Sequence, residues 1–142
     1  MIELTNPNVQ TVAIGQSVIF TNVPVKSGCA ERHRDGSAQL TLVQPGRYLV
    51  AFSGNIAVPA TGGTVGEVSL GLALEGETLG GSLMRATPAA VSEFFNVATQ
   101  HYVDVPRNCN GGTCCQTITV QNTGASAVEV DNPNLTAVRV CG

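Results

Sequence analysis

The sequence predicts an all-β sandwich, on three observations. First, residues 37–59 (SAQLTLVQPGRYLVAFSGNIAVP) read as two strands joined by a tight turn, and the second strand has unlike faces. Tyr48, Val50, Phe52, Ile56 and Val58 fall on one face, while Leu49, Ala51, Ser53, Asn55 and Ala57 fall on the other. Second, turn signals recur at intervals of roughly 8–12 residues and mark off about ten short strands. Third, no segment has a convincing helical period. Residues 86–94 come nearest, and Pro88 with its β-branched neighbours weakens them.

Taken in order, residues 10–14 and 17–20 form a first strand pair around Gly15-Gln16, and Val23-Pro24-Val25 is an extended edge, since proline cannot donate to a central ladder. Residues 27–36 (SGCAERHRDG) read as a polar loop ending in the turn Asp35-Gly36, before a strand over 38–43. Gln44-Pro45-Gly46 is a turn because proline presets φ and glycine accepts a positive φ. In the strand over 64–75, Val68, Leu70, Leu72 and Leu74 oppose the small residues Ser69, Gly71 and Ala73, which let another backbone approach. Glu75-Gly76-Glu77 turns into a short strand over 78–84. A long strand spans 91–105, with Phe95, Val97, His101, Val103 and Val105 on one face, and Pro106 ends it. Residues 109–113 form a loop, and strands over 115–122, 128–130 and 135–141 complete the domain.

The 142 residues suffice for one domain with its own core. Hydrophobic residues make up 43% and charged residues only 12%, against about 25% charged in an average domain. Such a sparsely charged surface suits subunits that bury much of it in one another. A net charge of −3 with seven scattered basic residues excludes a nucleic-acid or anionic-membrane partner from the expectation. Neither a secretory signal at the N-terminus nor an apolar run of membrane-spanning length is visible, so membrane insertion is not expected. Release by lysis, assembly into a virion or deposition on a spore all fit. The five cysteines leave two readings open: buried free thiols, or a disulfide among Cys29, Cys109, Cys114 and Cys115. Adjacent Cys114 and Cys115 cannot easily bridge each other.

Four segments, PGRYLVAFSGNIAVP, SLGLALEGETLGGS, FFNVATQHYVDVP and TAVRVCG, together resemble the complement globular-head and tumour-necrosis-factor jelly-roll superfamily. The similarity is nearest to small proteins of gut Firmicutes and their prophages and to the C-terminal domains of spore-surface collagen-like glycoproteins. The resemblance rests on Gly46-Arg47-Tyr48-Leu49-Val50, Leu74 to Leu79, Phe94 to Val105 and Asn132 to Val140. It implies a ten-stranded jelly roll over residues 9–142, assembled as a homotrimer. Candidate trimer-interface residues are Phe95, Val97, His101, Val103, Val138 and Val140. The sequence shows no collagen-like stalk, which favours either a free-standing trimer or one attached through residues 1–8 as an arm, with Ile2, Leu4 and Asn6 as its candidate contacts. The function so implied is a structural protein on the exterior of a bacteriophage virion, a capsid decoration or head-fibre component made in the host cytoplasm. The alternative is a trimer on a spore, cell or phage-fibre surface that binds a carbohydrate or protein receptor through loops 26–36, 61–66 and 108–113.

No enzyme is expected. His33, Asp35 and Ser37 lie at alternate positions, roughly 6.6 Å apart if extended, whereas a triad needs hydrogen-bond contact between nucleophile and base. Arg32 and Arg34 flank the histidine and pair more simply with Asp35. Cys109-x4-Cys114-Cys115 lacks the paired spacing of a zinc ribbon, and Glu75, Glu77 and Asp104 do not make the dense oxygen loop of a calcium site. Neither metal nor cofactor is therefore expected. Gly80-Gly81 and Gly111-Gly112 lack the following helix of a phosphate loop. Tyr48, Phe52, Phe94, Phe95 and Tyr102 read as packing residues.

Overall fold

A computed structural model describes residues 1–107 and 115–141. In chain order the strands are β1 (Ile2–Thr5), β2 (Gln10–Val12), β3 (Asn22–Lys26), β4 (Glu31–His33), β5 (Leu40–Leu42), β6 (Gly46–Ala57), β7 (Val68–Leu74), β8 (Glu77–Thr78), β9 (Met84–Ala86), β10 (Phe95–Val105), β11 (Gln116–Asn122) and β12 (Val128–Cys141). They form two sheets. The first runs β10-β6-β12-β1-β3, with β2 also on β12; the second runs β4-β5-β11-β7-β8, with β9 also on β7. Every pairing between these strands is antiparallel. Among the described residues the one helical element is a 3-10 turn at Gly80–Ser82, and no helix is long and apolar enough to cross a membrane.

The core lies between the sheets, as the alternation in β6 requires. Tyr48, Val50, Phe52 and Ile56 point inward beside Ile2 and Leu4 of β1 and Leu135 and Ala137 of β12. Leu40, Leu42, Leu70, Leu72, Ile118 and Val120 face them from the second sheet. Asn122 pins the sheets together at one end. Its amide donates to Val12 O at 3.0 Å and Ser126 O at 2.9 Å, and its Oδ1 accepts from Gly124 N at 2.9 Å. Asn122→Ala is expected to cost about 2–4 kcal/mol in urea unfolding, since it leaves buried backbone groups unpaired.

The turn Gln44-Pro45-Gly46 does not close a hairpin. β5 and β6 belong to different sheets, so the turn is a corner. The Tyr48 hydroxyl secures it by donating to Gln44 O at 2.7 Å. Burial, reinforced by Glu31, pushes the Tyr48 phenol above its ordinary value. The folded state thus holds this proton more tightly, so the stability it carries is complete below the unfolded value near 10 and falls as pH rises beyond it. Urea unfolding across that alkaline range is expected to show a flatter decline for Tyr48→Phe, at a cost near neutrality of about 1 kcal/mol. At β7–β8 the two-residue loop Glu75-Gly76 has φ of 52° and 82°, the left-handed pair a type I′ hairpin demands.

Five expectations are corrected. Residues 1–8 are not an arm: β1 lies between β12 and β3, with Ile2 opposite Ala137 and Leu4 opposite Leu135. Ile2 and Leu4 are fully buried, and Asn6 is buried with its amide on Ile19 O. Alternation of Ile2 and Leu4 with Glu3 and Thr5 suits a strand with one face in the core. Residues 17–20 do not pair with β2; Val18 N donates to Val120 O and Ser17 bridges Gln121, both on β11. The polar loop over 27–36 contains edge strand β4, with Glu31 buried. The return over 78–84 is divided into β8, the 3-10 turn and β9. Finally, 128–130 and 135–141 belong to one strand, interrupted by a register shift between Asp131 and Asn134 where Asn132 takes a φ of 51°. The expected loop over 109–113 lies outside the described residues.

Candidate assembly face

The outer surface of the first sheet is built by the residues that alternate with the core set. Register places them in rows. Tyr102 of β10, Leu49 of β6 and Val138 of β12 form one; Gln100, Ala51, Thr136 and Glu3 form the next; Ala98, Ser53, Asn134 and Thr5 form a third. Small side chains in the middle rows leave a hollow of about 420 Å³, lined by Ala51, Ser53, Ala98, Gln100, Asn134 and Thr136. Beside it Tyr102 is 60% exposed and Val138 36%. β10 is one edge of this sheet, and Phe94 and Phe95 are exposed where it begins.

Hydrogen-bonded polar pairs lie around this face. Asn96 donates to Asn55 at 3.1 Å at one end, and Asn134 donates to Glu3 at 3.0 Å toward the side. At the other end Arg47 forks Asp104 with Nε and Nη2 at 2.7 and 2.8 Å. Hydrogen bonding and charge from Arg47 hold the Asp104 carboxyl below its ordinary value. Exposed apolar side chains such as Tyr102 and Val138 beside small residues, with a hydrogen-bonded rim, are the anatomy of a protein–protein contact.

The predicted interface residues divide. Val138 and Val140 are exposed, and Phe95 is exposed at the start of β10. Val103 is a core residue, and Val97 packs against the core from the same side of β10. His101, also on that side, places its ring 3.5 Å from where a Cβ on Gly81 would lie, under the 3-10 turn. The expected face of β10 is therefore the inward one, and the open face carries Ala98, Gln100 and Tyr102. The contrast between large and small faces in β6 already held the signal, because Leu49, Ala51 and Ser53 must share a surface with their outward-facing partners on β10.

The other candidates fall elsewhere. Cys29, Cys115 and Cys141 are free thiols, so neither Cys29 nor Cys115 takes part in one of the candidate disulfides; Cys109 and Cys114 lie outside the described residues. His33 is held by Gln39 O and Phe20 O at 2.9 and 3.0 Å, while Ser37 Oγ accepts from Gln39 N at 3.0 Å. No hydrogen bond joins that serine to that histidine. Among the described residues no three His, Cys, Asp or Glu side chains gather to hold a metal ion.

No protein-family model matches the chain, and no curated protein matches it in sequence. Solved structures do. Murine APRIL at pH 5.0 superposes with a TM-score of 0.66 over 98% of this chain and 97% of its own, at 14% identity. PRD1 vertex protein P5 does so with a TM-score of 0.50 over 98% and 95%, at 16% identity. The chain is an all-β protein of two antiparallel sheets with TNF-like jelly-roll neighbours.

Proposed function

We propose that the chain is a non-catalytic surface-assembly protein, a homotrimer on the exterior of a bacteriophage virion, serving as a capsid decoration or head-fibre component. The observation that carries this is the hollow at Ala51, Ser53 and Ala98, beside the row Tyr102–Leu49–Val138. The exposed aromatic residues at the edge strand of one copy fit against the small residues of the next. Such a contact joins two different surfaces, and repeated by a 120° rotation it closes at three copies. Closure covers the free edge of β10, which would otherwise offer unpaired backbone groups to any passing strand. The low charge supports burial of this area, and the resemblance in fold to a vertex protein supports the virion setting and a capsid lattice as partner. With residues 1–8 built into the sheet, contact with the lattice falls to other exposed surface.

Light scattering on the purified protein tests the assembly. The expected mass is three times the 14.6 kDa chain, unchanged by reductant because the packing is apolar. A monomer would overturn the reading, and a trimer lost on reduction would move its strength to interchain sulfur. Cleavage of the protein on intact purified virions by added protease tests the location; complete protection would place it inside the particle.

A further inference from the structure

A second surface, on the outer face of the other sheet, has different chemistry. There Arg32, His33, Arg34, Ser37, Gln39 and Thr41 line a shallow groove of about 380 Å³. The strand pairing builds it. Arg32 on edge strand β4 lies opposite Thr41 on β5, and Arg34 follows two residues later, just past the end of β4, and lines the same groove. Gln39 precedes Thr41 by the same step. Two arginines, an amide and a hydroxyl thus line one groove.

The arginines are not needed to hold the protein together. Arg47 and Arg85 pair with Asp104 and Glu67, and Arg139 donates to Pro45 O at 2.9 Å. Among the described residues neither the Arg32 nor the Arg34 side chain forms an ion pair, and Asp35 pairs with neither, contrary to the sequence expectation. The loop beneath them is fixed without their help. His33 is held between two carbonyl oxygens, Ser37 caps the backbone of Gln39, and Gly36 makes the turn at a φ of 84°. Two uncommitted cations on a rigid support, in a chain of net charge −3, describe an anion site.

We propose that this groove binds the acidic group of a glycan, the carboxylate of a uronate or the sulfate of a sulfated sugar. The guanidinium groups fork the anion, while Gln39, Thr41 and Ser37 present donors and acceptors to sugar hydroxyls. Every lining side chain carries a polar group, which suits sugar hydroxyls better than the hydrophobic residues of a peptide. A nucleic acid would need a longer basic track than two arginines on an acidic chain. The site belongs to one protomer and goes beyond the assembly reading.

Titration of the isotope-labelled protein with D-glucuronate and glucose 6-sulfate, followed by amide chemical shifts, tests the proposal. Glucose and sodium sulfate are the controls. Saturable shifts at Arg32, Arg34 and Thr41 are expected with at least one acidic sugar and not with glucose, and the responding sugar identifies the acid. Arg32→Gln and Arg34→Gln should each weaken binding roughly tenfold, the loss of a charge-assisted hydrogen bond, while Arg85→Gln should leave it unchanged. Absence of saturable shifts, equal affinity for sodium sulfate, or undiminished binding in both variants would overturn it. The mass measurement is separate, so failure of the trimer and failure of the sugar site are told apart.

Discussion

Replacing Ala51 with arginine is expected to convert the trimer to a monomer while leaving the sandwich folded. Ala51 lies in the middle of the open face, opposite Gln100 on β10 and Thr136 on β12, and its side chain points into the hollow. In one protomer a longer side chain there extends into solvent. Across a closed interface it would bury an unpaired charge, at a cost of about 3–5 kcal/mol, or roughly two to four orders of magnitude in affinity at each contact. Light scattering should give the mass of one chain, with an unaltered far-ultraviolet circular dichroism spectrum. Thermal stability should fall only by the loss of mass-action support from assembly, and its dependence on protein concentration should disappear. A trimer that tolerates Ala51→Arg would mean that this face is free and that copies meet elsewhere.

The neighbouring substitution, Phe52→Ala, is expected to do the opposite. Phe52 faces inward, 2% exposed, opposite Leu135 and Thr99 in the sheet. Gly54 makes room for its ring, since a Cβ there would lie 3.1 Å from Phe52 Cζ. Removing the ring should cost about 3–5 kcal/mol, transfer energy plus the cavity left behind, a large part of the 5–15 kcal/mol typical of a domain. Urea unfolding in the monomeric Ala51→Arg background separates this loss from any change in assembly. A loss under about 1 kcal/mol would show that the sheets close over the site without the ring. One step along a strand thus separates a change of assembly from a change of stability.

The same alternation explains which parts of the protein the sequence disclosed. In β6 the large residues Tyr48, Val50, Phe52 and Ile56 oppose the small or polar Ala51, Ser53 and Asn55, so volume alone tells the inward face. In β10 Val97, His101, Val103 and Val105 alternate with Asn96, Ala98, Gln100, Tyr102 and Asp104. Periodicity marks the apolar set but does not say whether the core or a second subunit covers it. Only the packing between the sheets decides it, turning Val97, His101 and Val103 inward while Val138 stays on the open face. β1 was hidden for another reason: four residues ahead of Asn6-Pro7-Asn8 show no partner locally, because the partner is β12 at the far end of the chain. β4 was masked by its charge, since Glu-Arg-His reads as a loop until Glu31 turns inward and Arg32 outward. In β12 the pair Asn132-Pro133 looks like a break, yet a shifted register absorbs it within one strand.

The position of β12 has a consequence for how the protein comes into being. This last described strand lies between β6 and β1, so β6 and β1 cannot be joined through the sheet before residues 128–141 exist. At synthesis rates of about 5–20 residues per second, β1 leaves the ribosome and waits on the order of ten seconds with Ile2 and Leu4 uncovered. Topologies that depend on such distant pairing also refold slowly, in milliseconds to seconds. During that interval the growing polypeptide holds a strand-wide gap that the corresponding segment of a neighbouring nascent chain could fill. Exchange of β12 between copies on one polysome is therefore the misassembly that this strand order favours.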